Sequence, residues 1–358
     1  MPNGSDDTIP VVDEPTARPV AESAGFDIGG IIKRGVFLAL GALSLYLLHP
    51  KFIEVVSSAE RLRTIHARWF VVMLVMEAIS FACTWWLIRI VLPSVSWFVA
   101  ATSQLCANAV SRVVPGAAAV GGATLYRMLS VSGVSAAEAG GALAATSILS
   151  TAALFAIPAT ALLIALLGAP VPESLWPAAV AGGVMFVVLV GAGSIAAAFD
   201  RPLLVLGRAI NAVVVPVSSR LHRPRSLHPQ HLLDERDRLR SVVDAAWGRS
   251  IVAAAGNWAF DYLALISALY GVGANPRLSL VLLAYAGAQV LAMIPLTPGG
   301  FGFVEAGLLY LLVISGISTQ DAALATAAYR AVSLLFPILL GAPAFLAYRA
   351  RFKLQPGD

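Results

Sequence analysis

Long apolar stretches separated by short polar segments make up most of this chain. A helix that crosses a bilayer needs about 20 mainly apolar residues, and six stretches approach or exceed that length. The predicted crossing helices are Gly35–Leu48, Trp69–Leu92, Ala139–Leu167, Leu175–Phe199, Ile251–Val272 and Ala322–Tyr348. The first is short and needs its flanking residues. The pattern predicts an all-α polytopic membrane protein.

Two further apolar stretches contain Pro-Gly breaks. Trp97–Leu129 is interrupted at Pro115 and Gly116, and Leu278–Ser315 is interrupted at Pro298. Each arm has about 14 to 18 residues, or roughly 20–27 Å, which is short of a ~30 Å hydrocarbon core. The lengths favour two re-entrant helical hairpins. Pairs of full crossings remain the alternative, because both arrangements return the chain to the side from which it entered.

The landmarks around the two breaks recur at similar spacings. Glu77 lies 38 residues before Pro115, and Asp261 lies 37 residues before Pro298. The prolines that follow within long apolar helices are Pro158 and Pro337. Duplicated halves with interrupted helices are typical of transporters whose binding site lies between the repeats. We therefore predict an inverted repeat of one unit.

Composition supports the membrane assignment and suggests the domain organisation. The chain is 58% hydrophobic and 12% charged, with a mean hydropathy of +0.82, whereas a soluble domain has about 25% charged residues. The predicted regions are a disordered acidic tail (1–28), a first membrane half (29–199), a basic cytoplasmic loop (200–250), a second membrane half (251–348) and a cytoplasmic tail (349–358).

The distribution of basic residues predicts the orientation. Residues 200–250 contain nine arginines and five acidic residues, and basic residues also flank the first helix and the C-terminus. Because basic loops stay in the cytoplasm, we expect a plasma (inner) membrane protein with both termini cytoplasmic. The basic loop at 50–68 does not fit this rule. Gln230–Trp247 is apolar on one face, which predicts an interfacial helix or a solvated linker.

Charged side chains inside the apolar stretches are the first candidate site residues. Each costs about 2.5–3.5 kcal/mol in a crossing helix, so those present are expected to face the protein interior with partners. The candidates are Glu77, Asp261, Glu305 and Arg330, and pairing of Glu305 or Asp261 with Arg330 would neutralise them. A purely structural salt bridge is the alternative. Arg89, Arg112 and Glu138 lie nearer to span ends, where side chains reach the interface.

The glycine-rich breaks are the second candidate site. Glycines let the backbone approach a ligand closely, and the N-terminus of the following half-helix favours an anion. The candidate residues are Thr297, Pro298, Gly299, Gly300, Gly302, Pro115 and Gly116. A tight helix crossing that needs small residues is the alternative. Arg330, with or without Arg127, is expected to hold a phosphate, and Glu305, Asp261 and Glu77 to supply the counter-charge.

Motifs for catalysis are lacking in the sequence. It contains no nucleotide-binding glycine loop followed by Lys, no nucleophile motif and no metal-ligand spacing, so no enzyme, cofactor, metal site or nucleic-acid partner is expected. Cys83 and Cys106 lie in apolar helices and are interpreted as packing residues.

The run Thr297–Ala306, with Asn257, Trp258 and Asp261 before it and Tyr329, Arg330 and Pro337 after it, resembles the lysylphosphatidylglycerol synthase transmembrane-domain (flippase-like) family. Val114–Arg127 is similar to the other signature of that family, although Ala117–Ala119 and Gly122 stand where many members have Arg and Glu. The resemblance covers about residues 30 to 350. It implies an inner-membrane protein that moves a phospholipid headgroup to the outer leaflet.

The expected function is that of a lipid flippase acting on a phospholipid or a lipid-linked headgroup. We expect a stand-alone member without the soluble synthase domain, so the lipid could be another phospholipid or a polyprenyl-linked glycan. The expected partners are anionic or phosphate-bearing membrane lipids. The alternatives are a membrane scaffold that recruits a separate lipid-modifying enzyme and a membrane-embedded lipid-linked transferase.

Overall fold

The computed structural model describes residues 65–113, 117–166, 229–293, 300 and 302–353, with isolated positions between 180 and 199. Those residues form long helices and contain no strand. In chain order the helices are α1 (Ala67–Val91), α2 (Trp97–Val113), α3 (Ala117–Val131), α4 (Ala136–Leu166), α5 (Pro229–Gly271), α6 (Leu278–Ala292), α7 (Phe303–Ile314) and α8 (Thr319–Phe352). The predicted all-α class is confirmed.

Four segments are long and apolar enough to cross a membrane. They are Ala67–Val91, Ala136–Thr160, Ala246–Gly271 and Thr319–Phe352. Four of the six predicted crossing helices are thereby confirmed. The predicted span Gly35–Leu48 lies outside the described residues, as does most of Leu175–Phe199. The protein is a multi-pass membrane protein.

Both predicted hairpins are present as pairs of short helices. Helices α2 and α3 pack against each other, as do α6 and α7. Small residues permit the close approach: a Cβ added at Gly121 would lie 2.9 Å from the Ala107 carbonyl oxygen, and one at Gly307 would lie 2.4 Å from Leu291. Each apolar stretch is therefore divided at its break, as the sequence predicts.

Helix α5 consists of two helical segments that meet at a kink. The sequence suggests an interfacial helix at Gln230–Trp247 followed by a separate span from Ile251. The structure has helical segments on either side of Ala246 (φ −131°, ψ 17°), which together run from Pro229 to Gly271. The part from Ala246 to Gly271 is the span, and the interfacial position of the first part stays a prediction. The apolar pattern changes at this point, and Gly248, which lowers helix propensity, follows the kink by two residues.

Helices α1 and α5 pack closely along their length. Gly256 permits this contact, because a Cβ added there would lie 2.9 Å from Sγ of Cys83. Helix α8 packs on α2 in the same way, with Gly341 against Ala109. Large apolar side chains remain exposed on several helices, including Val71, Val252, Tyr310, Leu339 and Leu346. Such a surface suits contact with lipid.

Candidate functional site

A polar cavity of about 380 Å³ lies between the helices. Helices α1, α2, α5, α6 and α8 line most of it, and α4 and Gly300 contribute at its edge. The charged residues that line it are Glu77, Arg112, Asp261 and Arg330. Amide and hydroxyl side chains make up much of the remaining wall. Polar groups at membrane depth are expensive and usually mark a substrate or ion pathway.

Asp261 on α5 accepts hydrogen bonds from three side chains on two other helices. On α6, the Tyr285 hydroxyl lies 2.5 Å and the Gln289 amide nitrogen 3.0 Å from Oδ2. On α8, the Tyr329 hydroxyl lies 3.0 Å from Oδ1 and 2.9 Å from Oδ2. Gln289 also lies 3.1 Å from the Tyr329 hydroxyl. These donors replace water around the carboxylate and connect α5, α6 and α8.

Arg330 forms an ion pair with Glu305, in which Nε lies 2.8 Å from Oε1. The other oxygen of Glu305 accepts a hydrogen bond of 2.6 Å from the backbone N–H of Gly302, at the start of α7. Glu305 therefore fixes Arg330 and caps α7 with the same carboxylate. The Gly302 N–H, which the sequence assigns to an anion ligand, is already bonded to this side chain.

A second set of polar contacts holds α1 against α5. The Ser80 hydroxyl donates to the backbone oxygen of Asn257 at 2.9 Å and lies 3.1 Å from its Oδ1, while the Thr84 hydroxyl donates to Oδ1 at 2.8 Å. The indole N–H of Trp258 donates to the Ser150 carbonyl oxygen on α4 at 2.7 Å. The cavity wall is thus held together by bonds that cross between helices.

Four buried polar atoms in the cavity wall have no hydrogen-bond partner among the described residues. They are Oε2 of Glu77, Nε of Arg112, Oε1 of Gln104 and Oγ of Ser333. The Glu77 residue is only 3% exposed, and the charged side chains that face it most strongly are Asp261 and Arg112. Unpaired buried polar groups cost free energy, so a cluster of them in one cavity is typical of a site completed by a ligand.

The structure brings several of the predicted site residues together. Glu77, Asp261, Arg330 and Gly300 line the cavity, and Glu305 contacts Arg330. Arg127 does not join them: it is exposed on α3 and is not part of the cavity wall. The remaining predicted site residues, Thr297, Pro298, Gly299, Pro115 and Gly116, lie outside the described residues.

Arg112 and the α6 residues are the main additions to the predicted site. The sequence places Arg112 near a span end, where it would reach the membrane surface, but in the structure it lines the cavity. Its helix is a half-length arm that ends inside the helical assembly. Tyr285 and Gln289 could have been found from their spacing, since polar residues four positions apart share one helix face. Among the described residues, no group of three or more His, Cys, Asp or Glu could hold a metal ion.

The family model for the lysylphosphatidylglycerol synthase TM region matches residues 35–341, which is most of the chain. A search of curated proteins gave no match. The chain belongs to this family, so the resemblance predicted from the motif around Pro298 is confirmed. Because this family is defined by the membrane region of a lipid synthase, membership implies a lipid-related function in the membrane.

Proposed function

We propose that this chain moves an anionic lipid headgroup between the leaflets, with the headgroup in the polar cavity and the tails in the bilayer. The observation that supports this most directly is the presence of Arg112 and Arg330, from two different helices, in one membrane-embedded cavity. Arginine suits phosphate, because its planar guanidinium donates hydrogen bonds in a fixed geometry.

The two arginines differ in their surroundings. Arg330 is oriented through Nε by Glu305, which fixes the plane of its guanidinium. Arg112 has a buried Nε that lacks a partner among the described residues. The two cations are close enough to repel each other electrostatically. A phosphate that binds between them would relieve this repulsion and satisfy the unpaired donor.

Gly300 leaves space beside Arg330. Its φ of +72° lies in the left-handed region, and a Cβ there would lie 2.5 Å from Cγ2 of Val304 and 4.0 Å from Nη2 of Arg330. The missing side chain keeps that edge of the cavity open. In this proposal the segment from Pro298 to Gly302, with the Pro115-Gly116 break, forms the gate.

The proposal includes a location and an orientation. The basic residues at 200–250 and at the C-terminus favour a plasma (inner) membrane protein with both termini cytoplasmic. The partners would be anionic or phosphate-bearing lipids. The cavity binds and positions a headgroup but supplies no recognised catalytic motif, so transport is proposed in preference to catalysis.

Lipid exchange in proteoliposomes tests the proposal. The full chain is reconstituted with fluorescent phosphatidylglycerol, and the fraction accessible to an external quencher is followed over time. A fluorescent polyprenyl phosphate and phosphatidylcholine complete the panel. We expect Arg330→Ala and Arg112→Gln to slow exchange by about tenfold or more, because a hydrogen bond to a charged group contributes roughly 1.5–3 kcal/mol.

Arg277→Gln is the matched control, since Arg277 is exposed immediately before α6 and does not line the cavity. It should exchange lipid at the rate of the unmodified protein. Exchange by Arg330→Ala at that same rate would contradict the role of Arg330. If folded protein exchanges no lipid in the panel, transport is contradicted and a scaffold that recruits a lipid-modifying enzyme through residues 200–250 becomes the better explanation.

A further inference from the structure

Glu77 and Asp261 face each other where α1 packs against α5. The Asp261 oxygens accept hydrogen bonds from Tyr285, Gln289 and Tyr329. Glu77 is almost fully buried, and its Oε2 has no hydrogen-bond partner among the described residues. The two carboxyls therefore share one environment, but three hydrogen-bond donors stabilise the negative charge of Asp261 and none reaches Oε2 of Glu77.

The charges around the cavity do not balance when every side chain is ionised. Among the described residues, Glu77 and Asp261 line the cavity with Arg112 and Arg330, and Glu305 is paired with Arg330. Three carboxylates then stand against two guanidinium groups, which leaves one excess negative charge. An uncompensated buried charge is costly, so a further anion entering this cavity would favour protonation of one of the two adjacent carboxyls.

The groups that face Glu77 come from each helix packed around it. Asp261 faces it from α5 and Arg112 from α2, while the uncharged hydroxyls of Tyr285 on α6 and Tyr329 on α8 are bonded to Asp261. Arg330 of α8 lines the same cavity, and α4 contributes the uncharged Ser150. Asp261 has three hydrogen-bond donors that stabilise its negative charge. Oε2 of Glu77 has no donor among the described residues, so Glu77 is the carboxyl that is more easily protonated.

We propose that Glu77 of the Glu77–Asp261 pair is ionised in the empty cavity and takes up one proton when the anionic headgroup binds, and that this proton crosses the membrane together with the headgroup. The inference rests on the proposed lipid transport. Ionised Glu77 and the phosphate of the headgroup would compete for Arg112. Binding of the phosphate therefore favours uptake of a proton from water onto Glu77, which keeps the loaded cavity close to its original charge.

The same proteoliposomes test this coupling when a pH gradient is imposed. A headgroup carrying one negative charge that moves with one proton should accumulate in the leaflet facing the more alkaline side. At equilibrium the enrichment is about tenfold for each pH unit, because one unit corresponds to 1.36 kcal/mol. Since anion and proton cancel in charge, a membrane potential alone should produce no enrichment.

Glu77→Gln keeps the shape of the protonated side chain but cannot release a proton. We expect the exchange of fluorescent phosphatidylglycerol by this variant, whatever its rate, to show no enrichment in a pH gradient. Asp321→Asn is the control, because Asp321 lies at the start of α8, where it bonds to Ser318, and does not line the cavity. The control should retain the enrichment of the unmodified protein.

The outcomes separate the two proposals. If the unmodified protein exchanges lipid but shows no enrichment in a pH gradient, transport stands and proton coupling is overturned. If a sodium gradient produces the enrichment instead, the pair binds a metal cation and the proton assignment is overturned. If no lipid is exchanged under any condition, both proposals fail.

A binding measurement on the unmodified protein tests the proton coupling without relying on a variant that has to fold. The unmodified protein is titrated with glycerophosphoglycerol, a phosphodiester whose single negative charge does not change near neutral pH, in two buffers of different ionisation enthalpy, and the difference in heat gives the number of protons taken up. We expect about one proton per bound headgroup analogue. Binding without proton uptake would overturn the coupling.

Discussion

The hydroxyl of Tyr329 lies within 3.0 Å of both carboxylate oxygens of Asp261, which connects α8 directly to α5 at the cavity wall. The two residues are 68 positions apart in the chain. The contact matters for the proposed function because Arg330, the next residue on α8, is held beside the cavity by the same helix. The orientation of one candidate ligand-binding side chain thus depends on the neighbouring hydrogen bond.

Tyr329→Phe should therefore weaken the protein. The substitution removes the donor to Asp261 and leaves the ring in place, so we expect a loss of about 1–3 kcal/mol in the free energy of unfolding. Reversible unfolding in mixed micelles measures this value. Tyr310→Phe is the control, because Tyr310 is 64% exposed on α7. Equal stability of the two variants would show that the bond to Asp261 contributes nothing.

The ion pair between Glu305 and Arg330 can be measured with a double-mutant cycle. Glu305→Gln, Arg330→Gln and the double variant should give a coupling energy of about 1–3 kcal/mol, since contacting charged groups are not additive. Asp321→Asn combined with Arg330→Gln should be additive, because the two residues are about 13 Å apart along α8. A coupling near zero for Glu305 and Arg330 would indicate that the pair does not fix the guanidinium.

Two glycines at the start of α7 differ in the space around them. Gly300 and Gly302 both have positive φ, of +72° and +80°, but only Gly300 has a close neighbour, Val304. Gly302→Ala should cost about 1–2 kcal/mol of stability from backbone strain alone, and Gly300→Ala should cost more. Thermal unfolding of the two variants measures how much stability each substitution costs. Equal costs would show that Val304 moves aside freely.

The contact between α1 and α5 gives a test based on replacing both partners of a hydrogen bond. Asn257→Ala removes the acceptor side-chain oxygen for Thr84 and should lower stability by about 1–2 kcal/mol. Adding Thr84→Val should recover much of the loss, because the Thr84 hydroxyl is then no longer left without that acceptor, and Ser80 keeps its bond to the backbone oxygen of residue 257. Chemical unfolding of the single and double variants measures their free energies of unfolding and tests this expectation. A double variant less stable than Asn257→Ala would contradict this explanation.

The described helices and several residues of the candidate site could be predicted from the sequence. Apolar length identified the four described spans, and the Pro-Gly breaks located the two helix pairs. The similar spacings of Glu77 and Asp261 from those breaks, 38 and 37 residues, suggested that they are corresponding positions of the predicted repeat. That they face each other could not be predicted, because helix periodicity says nothing about which helices pack together.

Arg112 shows the limit of arguing from position in a helix. Closeness to a helix end suggests an exposed side chain only if that end reaches the membrane surface. Helix α2 ends at Val113 and α3 begins at Ala117, and Arg112, next to the end of α2, lines the same cavity as Glu77 of α1 and Arg330 of α8. The reversed orientation of the two halves stays a prediction, although each described half has the same order of a long helix, a short pair and a proline-containing long helix.

The kink at Ala246 has a consequence for how α5 fits a bilayer. A straight helix of 43 residues would be about 64 Å long, more than twice the ~30 Å hydrocarbon thickness. The part from Ala246 to Gly271 alone measures about 39 Å, which suits a tilted crossing. A crossing that begins at the kink would leave the part before Ala246 outside the hydrocarbon, where the sequence predicts an interfacial helix or a solvated linker. Asp261 lies 15 residues after Ala246, about 22 Å along the helix, so the depth of this carboxylate in the bilayer depends on where the crossing part begins.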